Sequence, residues 1–405
     1  MKKLLKALVS AAMVLALTAC GGGGEKAPDK VSLKVWASQE DQTVTQEMIN
    51  SFVDAQKEKY PNTTFDITLA VVSEADAKTK YLEDPTAAAD VFTFANDQLT
   101  DLVKAGALAE VTRNKDDIVK RNGEGSIGSA TKDGHLYAYP MTADNGYFLY
   151  YNKAVIKDPT SLDKILADAD AAGKKVFMDV SNGWYIASFF LGNGGKLALD
   201  DKGNQTCDFN NAAGLAAAEA IKAFTAHNAF RTGDDAVLNS GFQDGSIVAG
   251  VSGVWNAKTM KANLGDNYAA TKLPTFTAGG KQVQMSSFGG YKLVGVNSQT
   301  KPEFTVFAMD LADWLTNEAN QVKRFETRGY GPSNTNAAAS DAVQANVALA
   351  ALSLQSQFAV SQNDVLGQYW APAEALGTTL EAKDYSTPLQ SLLDTMVTQI
   401  TTPAN

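Results

Sequence analysis

The alternation of short apolar strands with amphipathic helices constrains the fold of this chain more than any other feature. Residues 31–36 alternate apolar and polar side chains, as a half-buried strand does, and residues 43–60 show the apolar periodicity of a helix. A strand over 65–72, a helix over 73–82 and a strand over 90–94 follow. Strands joined by helices favour a parallel sheet with helices on both faces, so the pattern predicts an α/β fold.

The chain is too long for one ordinary domain, because its 405 residues exceed the usual size of a single core. The strand and helix pattern repeats in the second half, with strands expected over 176–178 and 245–253. From residue 337 onward the sequence predicts helices, with turns at Gly367 and Gly377. We therefore expect two α/β lobes of similar size and a helical C-terminal region.

An aromatic stretch over residues 136–153 lies near the middle of the chain. Pro140 favours an extended backbone before it, Asp144 begins an Asp-Asn-Gly run typical of a turn, and residues 147–151 read as an apolar strand. The residues alone leave two interpretations open. The stretch is either a strand–turn–strand within one core or a crossing between two lobes that brings Asp144 to a cleft.

The N-terminus has the order of a bacterial lipoprotein signal. A short basic head precedes an apolar run over 4–17, which is too short to span a membrane. Thr18 and Ala19 follow this run, and Cys20 comes directly after them and before four glycines. The resemblance implies a signal peptide over 1–19, a diacylglycerol on Cys20 and a flexible tether over 20–30. We expect a mature protein on the extracellular face of the cell membrane, anchored through this lipid.

Charge and cysteine content narrow the function classes. The chain has 35 basic and 45 acidic residues, and this net charge of -10 argues against a nucleic-acid partner. With Cys20 used by lipid, Cys207 alone can form neither an internal disulfide nor a cysteine metal cage. His135 and His227 are the only histidines, and no zinc-protease, P-loop or serine-hydrolase motif is present. We expect no metal and no cofactor.

Six short motifs, taken in order, resemble a known family. They are LKVW at 33–36, FAND at 94–97, AYP at 138–140, YNK at 151–153, SGVW at 252–255 and LPTF at 273–276. Together with the lipoprotein head they resemble the extracellular solute-binding proteins of ABC importers, and most closely their maltose/maltodextrin-binding branch. The resemblance extends over nearly the whole mature chain. It implies a two-lobed periplasmic-binding-protein-like fold with discontinuous lobes, hinge crossings and a ligand cleft between the lobes.

The resemblance also implies where the lobes and the crossings lie. The expected lobes are an N-terminal lobe of 31–143 with 294–333 and a C-terminal lobe of 144–293 with 334–405. The expected crossings lie near 142–144, 288–293 and 332–337. The aromatic stretch would then be the first crossing.

Tryptophans are the first candidates for ligand contact, because flat rings match the apolar faces of sugars. By resemblance Trp255 and Trp370 fall on stacking positions of maltodextrin binders, and Trp184 falls near a third. Trp36 either joins them or simply ends its strand. Trp314 has helical core spacing, and we expect it to pack in a core.

Carboxylates are the second candidates, because they accept strong hydrogen bonds from sugar hydroxyls. Asp97 and Asp144 fall on the family's sugar-binding carboxylate positions. The alternative roles are a helix N-cap for Asp97 and a turn for Asp144.

Polar residues after the first strand are less well defined by the resemblance. Glu40 and Asp41 lie where the family places polar ligand contacts. Ser38 and Gln42 are alternatives at the same place, and the sequence does not choose among the four.

The resulting functional prediction is a binding protein and not an enzyme. We expect a monomer that captures maltose or maltodextrin by lobe closure and delivers it to ABC permease subunits in the membrane. A surface-anchored glycoside hydrolase is one alternative, because such enzymes also combine aromatic platforms with paired carboxylates such as Asp97 and Asp144. The same fold binding a different sugar is another.

Overall fold

The computed structural model describes residues 27–403, so the expected signal peptide and Cys20 lie outside the described residues. The strands within this range are β1 Lys30–Ala37, β2 Thr64–Val71, β3 Val91–Ala95, β4 Thr131–Lys132, β5 His135–Leu136, β6 Ala138–Gly146, β7 Phe148–Asn152, β8 Lys175–Phe177, β9 Leu197–Leu199, β10 Gln205–Cys207, β11 Phe230–Arg231, β12 Ile247–Ser252, β13 Tyr268–Thr271, β14 Thr275–Ala278, β15 Lys281–Gln284, β16 Ser287–Val296 and β17 Ala359–Ser361.

Helices separate β1, β2 and β3 as the sequence pattern predicts, whereas β4 to β7 follow one another without a helix. The helices are α1 Gln42–Lys59, α2 Ala77–Glu83, α3 Leu99–Lys104, α4 Lys115–Arg121, α5 Glu124–Ser129, α6 Leu162–Ala171, α7 Gly183–Gly192, α8 Ala212–Ala226, α9 Asp235–Asp244, α10 Ala257–Leu264, α11 Pro302–Leu315, α12 Glu318–Arg328, α13 Thr335–Ala338, α14 Asp341–Gln344, α15 Val347–Ser356, α16 Trp370–Glu381 and α17 Leu389–Thr401. None of these helices of the described chain is both long and apolar enough to cross a membrane.

Two mixed sheets form the centres of two lobes. The N-terminal sheet has the order β17-β16-β3-β1-β2, and β6 also pairs with β16. The C-terminal sheet has the order β11-β8-β12-β7-β13. Strands β1, β2 and β3 are parallel, as are β8, β11 and β12. Strand β7 runs antiparallel to β12 and β13, and β16 runs antiparallel to β3 and β6 but parallel to β17. The expected α/β class is confirmed, and antiparallel strands occur where the chain returns from the other lobe.

Each lobe has its own apolar core. In the N-terminal lobe, α1 buries Met48, Ile49 and Phe52 in the same core as Phe92 of β3. The C-terminal core contains Phe189 of α7 among residues of α6, α8 and α16. Burying one such side chain contributes ~1.5–3 kcal/mol, so many of these contacts together hold each lobe.

The crossing segments run side by side. Met141 of β6 packs in the N-terminal core, whereas Tyr147, just after β6, packs in the C-terminal core. Strand β16 makes the return, because Gly289 pairs with Gly146 of β6 near one end of β16, and the other end of β16 pairs with β3. Pro332 forms a bridge to Thr142 of β6, which brings a third segment to the same place.

Two expected turns are wrong. Asp144, Asn145 and Gly146 continue β6, because Asn145 and Gly146 pair with β16 and so extend the strand through the crossing. Gly377 lies inside the continuous helix α16, where a Cβ would come within 1.9 Å of the Val180 carbonyl oxygen. That glycine therefore permits close packing of the helix and does not end it.

Candidate functional site

Trp184 stands at the start of α7, on the C-terminal lobe. The side chain of Asn182 caps the helix by accepting a hydrogen bond from the Trp184 backbone N–H at 2.9 Å. The Tyr147 ring lies edge-on, 4.5 Å from the Trp184 ring between centroids, and its hydroxyl donates to the Trp184 carbonyl at 2.7 Å. The crossing segment thus fixes this tryptophan.

Trp255 follows strand β12 and lies beside Trp184. The two ring centroids are 6.0 Å apart, with 34° between the ring planes. The indole N–H of Trp255 donates to Asp235 Oδ2 at 2.8 Å. A Cβ on Gly253 would come within 2.0 Å of the Trp255 ring, so glycine allows the indole to fold over the backbone.

Trp370 begins α16 and completes the group. Its ring lies edge-on to Phe288 of β16, with centroids 5.9 Å apart. A Cβ on Gly183 would lie 3.6 Å from the Trp370 ring, which brings this ring to the start of α7 next to Trp184. Trp184, Trp255 and Trp370 are all half-buried, and we call them the aromatic wall.

Asp97 of the N-terminal lobe meets the aromatic wall through Gln362, a buried residue that sequence reasoning missed. Trp184 donates its indole N–H to Gln362 Oε1 at 3.1 Å, and Gln362 Nε2 donates to Asp97 Oδ1 at 3.0 Å. Burial raises the pKa of Asp97 to about 7, although Lys78 and Gln362 oppose the shift. Asp97 does not cap α3, whose N-cap is Gln98.

Asp144 is buried at the crossings, with 2% of its surface exposed. Its Oδ2 accepts a hydrogen bond from the backbone N–H of Gly331 at 2.6 Å, which links β6 to the third crossing segment. Burial raises the pKa of Asp144, and the positive charge of Lys292 opposes that shift. The charges that act on Asp97 are those of Lys78 and Asp101, so the two carboxylates have different electrostatic surroundings.

The four residues after β1 separate into different roles. Asp41 is 2% exposed, and its Oδ1 lies 3.4 Å from Arg328 Nε of α12. Ser38 is buried, and Glu40 is exposed. Gln42 uses its amide to donate to backbone carbonyls, among them that of Ala37 at 2.8 Å. Asp41 and Ser38 are therefore the better-placed candidates for a buried ligand contact.

The prediction that Trp36 faces the cleft is wrong. It is 8% exposed and belongs to the N-terminal core, where its ring lies 6.1 Å from Phe92. The strand-end interpretation is therefore the better one. Trp314 packs against the same core beside Phe52, as its helical spacing predicts.

A buried ion pair between Glu74 and Lys292 is the main feature that sequence reasoning missed. Lys292 Nζ lies 3.7 Å from Glu74 Oε1, and both side chains are 8% exposed. The same ammonium lies 5.6 Å from the centroid of Trp255 and 5.0 Å from that of Tyr330. A signal was present, because Lys292 is the one charged residue in the apolar strand β16.

Several acids and bases share this place, and we call Asp41, Glu74, Asp144, Lys292 and Arg328 the charged cluster. Burial raises the pKa of Glu74 more than the charge of Lys292 lowers it, and the negative charge of Asp41 adds to the increase. Burial alone would lower the pKa of Lys292, but the surrounding carboxylates raise it, so this lysine stays protonated. Both pKa values therefore rise, that of Glu74 mainly through burial and that of Lys292 through the carboxylates around it. Within residues 27–403, no group of three His, Cys, Asp or Glu side chains has metal-binding geometry.

Comparison with known proteins identifies the family of this chain. The sequence profile of the family described as "Bacterial extracellular solute-binding protein" matches residues 52–351, well over half of the chain. The "Galactooligosaccharide-binding protein" of Bacillus subtilis (strain 168) is 30% identical over 422 residues, which cover 96% of this chain and 95% of that protein.

Solved structures match the fold over nearly all of the chain. A structure determined with acarbose is 31% identical, with a TM-score of 0.82, and the match covers 92% of this chain and 99% of that one. "Maltodextrin binding protein MalE1 from L. casei BL23 without ligand" is 25% identical, with a TM-score of 0.76 and the same coverage. The chain belongs to the bacterial extracellular solute-binding proteins, with the two-lobed fold of the sugar-binding members.

Proposed function

We propose that this protein captures a neutral oligosaccharide, with maltodextrin as the first candidate, and delivers it to an ABC importer. The observation that carries the proposal is the aromatic wall, which Gln362 links to Asp97 of the opposite lobe. Indole rings cover the apolar C–H faces of sugar rings, and carboxylates and amides hydrogen-bond their hydroxyls. The wall and Asp97 supply both kinds of group within one cleft.

Two ligand classes are supported by different relatives. The structure determined with acarbose and the maltodextrin-binding protein of L. casei favour α-glucan oligosaccharides. The B. subtilis relative favours galacto-oligosaccharides, since it is 30% identical over almost its whole length. Both classes are neutral and rich in hydroxyls, so the aromatic wall suits either.

The proposed action is capture without cleavage. Asp144 already accepts a backbone hydrogen bond from Gly331, and Asp97 accepts one from Gln362. Their separate charged neighbours do not resemble a glycosidase pair, in which two carboxyls act on one bond. We therefore assign both carboxylates to ligand or hinge contacts.

Lobe closure is the proposed motion, with lobe boundaries near residues 143, 293 and 333. Three adjacent crossing segments support it, because bending a few strand residues moves two intact cores. Ligand binding should reduce the radius of gyration in X-ray scattering. Identical scattering curves with and without a saturating ligand would contradict closure.

The proposed location is the outer face of the membrane, with Cys20 as the lipid attachment site. The Leu-Thr-Ala-Cys sequence and the glycines that follow support this proposal. Mass spectrometry of protein from native membranes should give an N-terminal peptide that starts at a diacylglyceryl Cys20. A Cys20→Ala variant recovered from the membrane in unchanged amount would contradict the anchor.

A calorimetric panel tests the function. It contains maltose, maltotetraose, a cyclodextrin, a galacto-oligosaccharide and a non-glucan disaccharide, each titrated into the mature protein. We expect saturable binding of at least one oligosaccharide and recovery of the intact sugar on chromatography. Shorter sugars after incubation would favour the hydrolase, and absence of binding across the panel would contradict the proposal.

A further inference from the structure

The charged cluster contains buried polar atoms that the protein itself leaves without regular hydrogen bonds. Within residues 27–403, Asp41 Oδ1, Glu74 Oε1, Arg328 Nε and the Tyr330 hydroxyl have no hydrogen-bond partner. Asp41, Glu74 and Tyr330 are each more than nine-tenths buried. Arg328 lies beside the Tyr330 ring, 5.5 Å from its centroid, but makes no hydrogen bond of regular geometry to its hydroxyl. A buried polar atom without a hydrogen bond is destabilising, so four such atoms in one cluster require an explanation.

Their position relative to the aromatic wall gives that reason. Lys292 Nζ lies 3.7 Å from Glu74 Oε1 and 5.6 Å from the ring centroid of Trp255, which belongs to the aromatic wall. Glu74 follows β2 of the N-terminal lobe, whereas Trp255 follows β12 of the C-terminal lobe. The cluster therefore lies where the two lobes meet, directly beside one end of the aromatic wall.

The chemistry of the unpartnered atoms is complementary to sugar hydroxyls. Carboxylate oxygens of Asp41 and Glu74 accept hydrogen bonds, Arg328 and Lys292 donate them, and the Tyr330 hydroxyl does both. A hydroxyl group can likewise donate and accept, so one sugar ring with several hydroxyls can satisfy several of these atoms. The three carboxylates of the cluster stand beside the two cations Lys292 and Arg328, so an uncharged ring binds there without leaving an additional charge unpaired.

We propose that Glu74, Lys292 and Tyr330 form a polar subsite beside Trp255 that binds the hydroxyls of one terminal, uncharged ring of the oligosaccharide. This inference rests on the proposed function and extends it, because it assigns an end of the ligand to residues outside the aromatic wall. Trp255 covers the apolar face of that ring, and the subsite forms hydrogen bonds with the hydroxyls at its edge. The ion pair thus determines specificity in addition to stabilising the lobe.

Tyr330→Phe is the most informative variant. It removes one buried hydroxyl that makes no regular hydrogen bond, so we expect the melting temperature to stay the same or rise slightly. Ligand affinity should fall about 3–10-fold, because the sugar loses a partner. A merely structural hydroxyl would give the opposite pattern, with lower stability and unchanged affinity.

Glu74→Gln tests the role of the ion pair. Two properties are measured for this variant, its affinity for the unmodified sugar and its ability to distinguish two sugars modified at opposite ends. The tightest trisaccharide of the panel is compared with its alditol, which opens the reducing-end ring, and with its 4,6-O-ethylidene derivative, which blocks the other end. We expect one modification to weaken wild-type binding at least ~10-fold more than the other. Glu74→Gln should weaken binding of the unmodified sugar and lose most of that difference.

A matched control is available in the same lobe. Arg113 pairs with Asp310 of α11, a helix that packs on α1, β1 and β16. Asp310→Asn should leave affinity and the difference between the two modified ligands unchanged.

The outcomes separate the inference from the function. Unchanged affinity of Tyr330→Phe and Glu74→Gln, or weaker binding by Glu74→Gln with the difference between modified ligands intact, would overturn the subsite. Should Glu74→Gln fail to fold, Tyr330→Phe measured with the same two ligands decides alone. A wild-type protein that binds no sugar of the panel would instead contradict the proposed function.

Discussion

The aromatic wall and the charged cluster differ in how their polar groups are hydrogen-bonded. On the aromatic wall, the indole N–H groups of Trp184 and Trp255 already have protein partners, Gln362 and Asp235. In the charged cluster, Glu74 and Tyr330 keep buried polar atoms without hydrogen bonds, although Glu74 is ion-paired with Lys292. The wall is thus preorganised before a ligand arrives, whereas the cluster gains hydrogen bonds only when a ligand supplies them.

This comparison teaches where affinity and selectivity should come from. A preorganised apolar surface binds many sugars, because every pyranose offers a C–H face. Buried polar atoms discriminate more strongly, because a ligand without the matching hydroxyl leaves them unpaired. Substitutions on the wall should therefore lower affinity for all ligands, and substitutions in the cluster should change the preference among them.

The largest effect is expected from removal of a ring of the wall. Trp255→Ala should weaken binding of every sugar that the protein binds by ~2–4 kcal/mol, because an aromatic anchor loses its contact area. Calorimetry across the panel measures both the size and the uniformity of the loss. Trp314→Phe is the control, since Trp314 packs on the N-terminal core and should change stability without changing affinity. Selective loss for one sugar only would contradict the division of roles.

The second effect concerns Asp97, which Gln362 links to Trp184 of the aromatic wall. Its pKa rises from 3.8 to about 7 on burial, so between these values the folded protein holds a proton that the unfolded chain has released. The free energy of unfolding should therefore fall as pH rises from about 4 to about 7. Asp97→Asn removes this dependence and should stabilise the free protein by about 4 kcal/mol at pH 8, and by little at pH 4.

Denaturant melts of wild type and Asp97→Asn at several pH values measure this difference. The exposed Asp66, which pairs with Lys30 at the surface, provides the control variant Asp66→Asn. Parallel stability curves for wild type and Asp97→Asn from pH 4 to pH 8 would show that Asp97 is charged throughout, contrary to the account.

The smallest effect is expected for Asp235, which holds the Trp255 ring in place by a hydrogen bond. Asp235 accepts the indole N–H of Trp255 at 2.8 Å, and Asn at that position keeps an acceptor while losing its charge. Asp235→Asn should weaken binding by about 0.5–1 kcal/mol for all sugars, because the ring is held less firmly. A larger loss than that of Trp255→Ala would mean that Asp235 itself contacts the ligand.

Sequence reasoning reached the parts of this molecule that depend on local pattern. Strand β1 and helix α1 appear within a residue or two of their expected bounds, because apolar periodicity is set by near neighbours. The core position of Trp314 followed from the same periodicity. The resemblance supplied Trp184, Trp255 and Trp370 as candidates, and the structure places the rings of Trp184 and Trp255 side by side, with Trp370 next to Gly183 at the start of α7.

The parts that sequence reasoning missed depend on contacts between distant segments. Asp144 resembles a turn residue, but pairing of the adjacent Asn145 and Gly146 with β16 keeps it in a strand. Trp36 is as aromatic as Trp255, and only the packing of β1 against β3 shows that it is buried. Glu74 and Lys292 are more than half the chain apart, so no local pattern pairs them. Local propensity predicts where helices and strands form, whereas long-range packing decides which polar residues are buried together.

The central claim is that the aromatic wall holds an intact oligosaccharide. Its most direct test is a calorimetric titration of wild type and the Trp255→Ala, Trp370→Ala double variant with the tightest sugar of the panel, followed by chromatography of that sugar. The account predicts saturable wild-type binding, at least ~100-fold weaker binding by a folded double variant, and full recovery of the uncleaved sugar. Equal affinity of the two proteins, or release of shorter sugars, would contradict it.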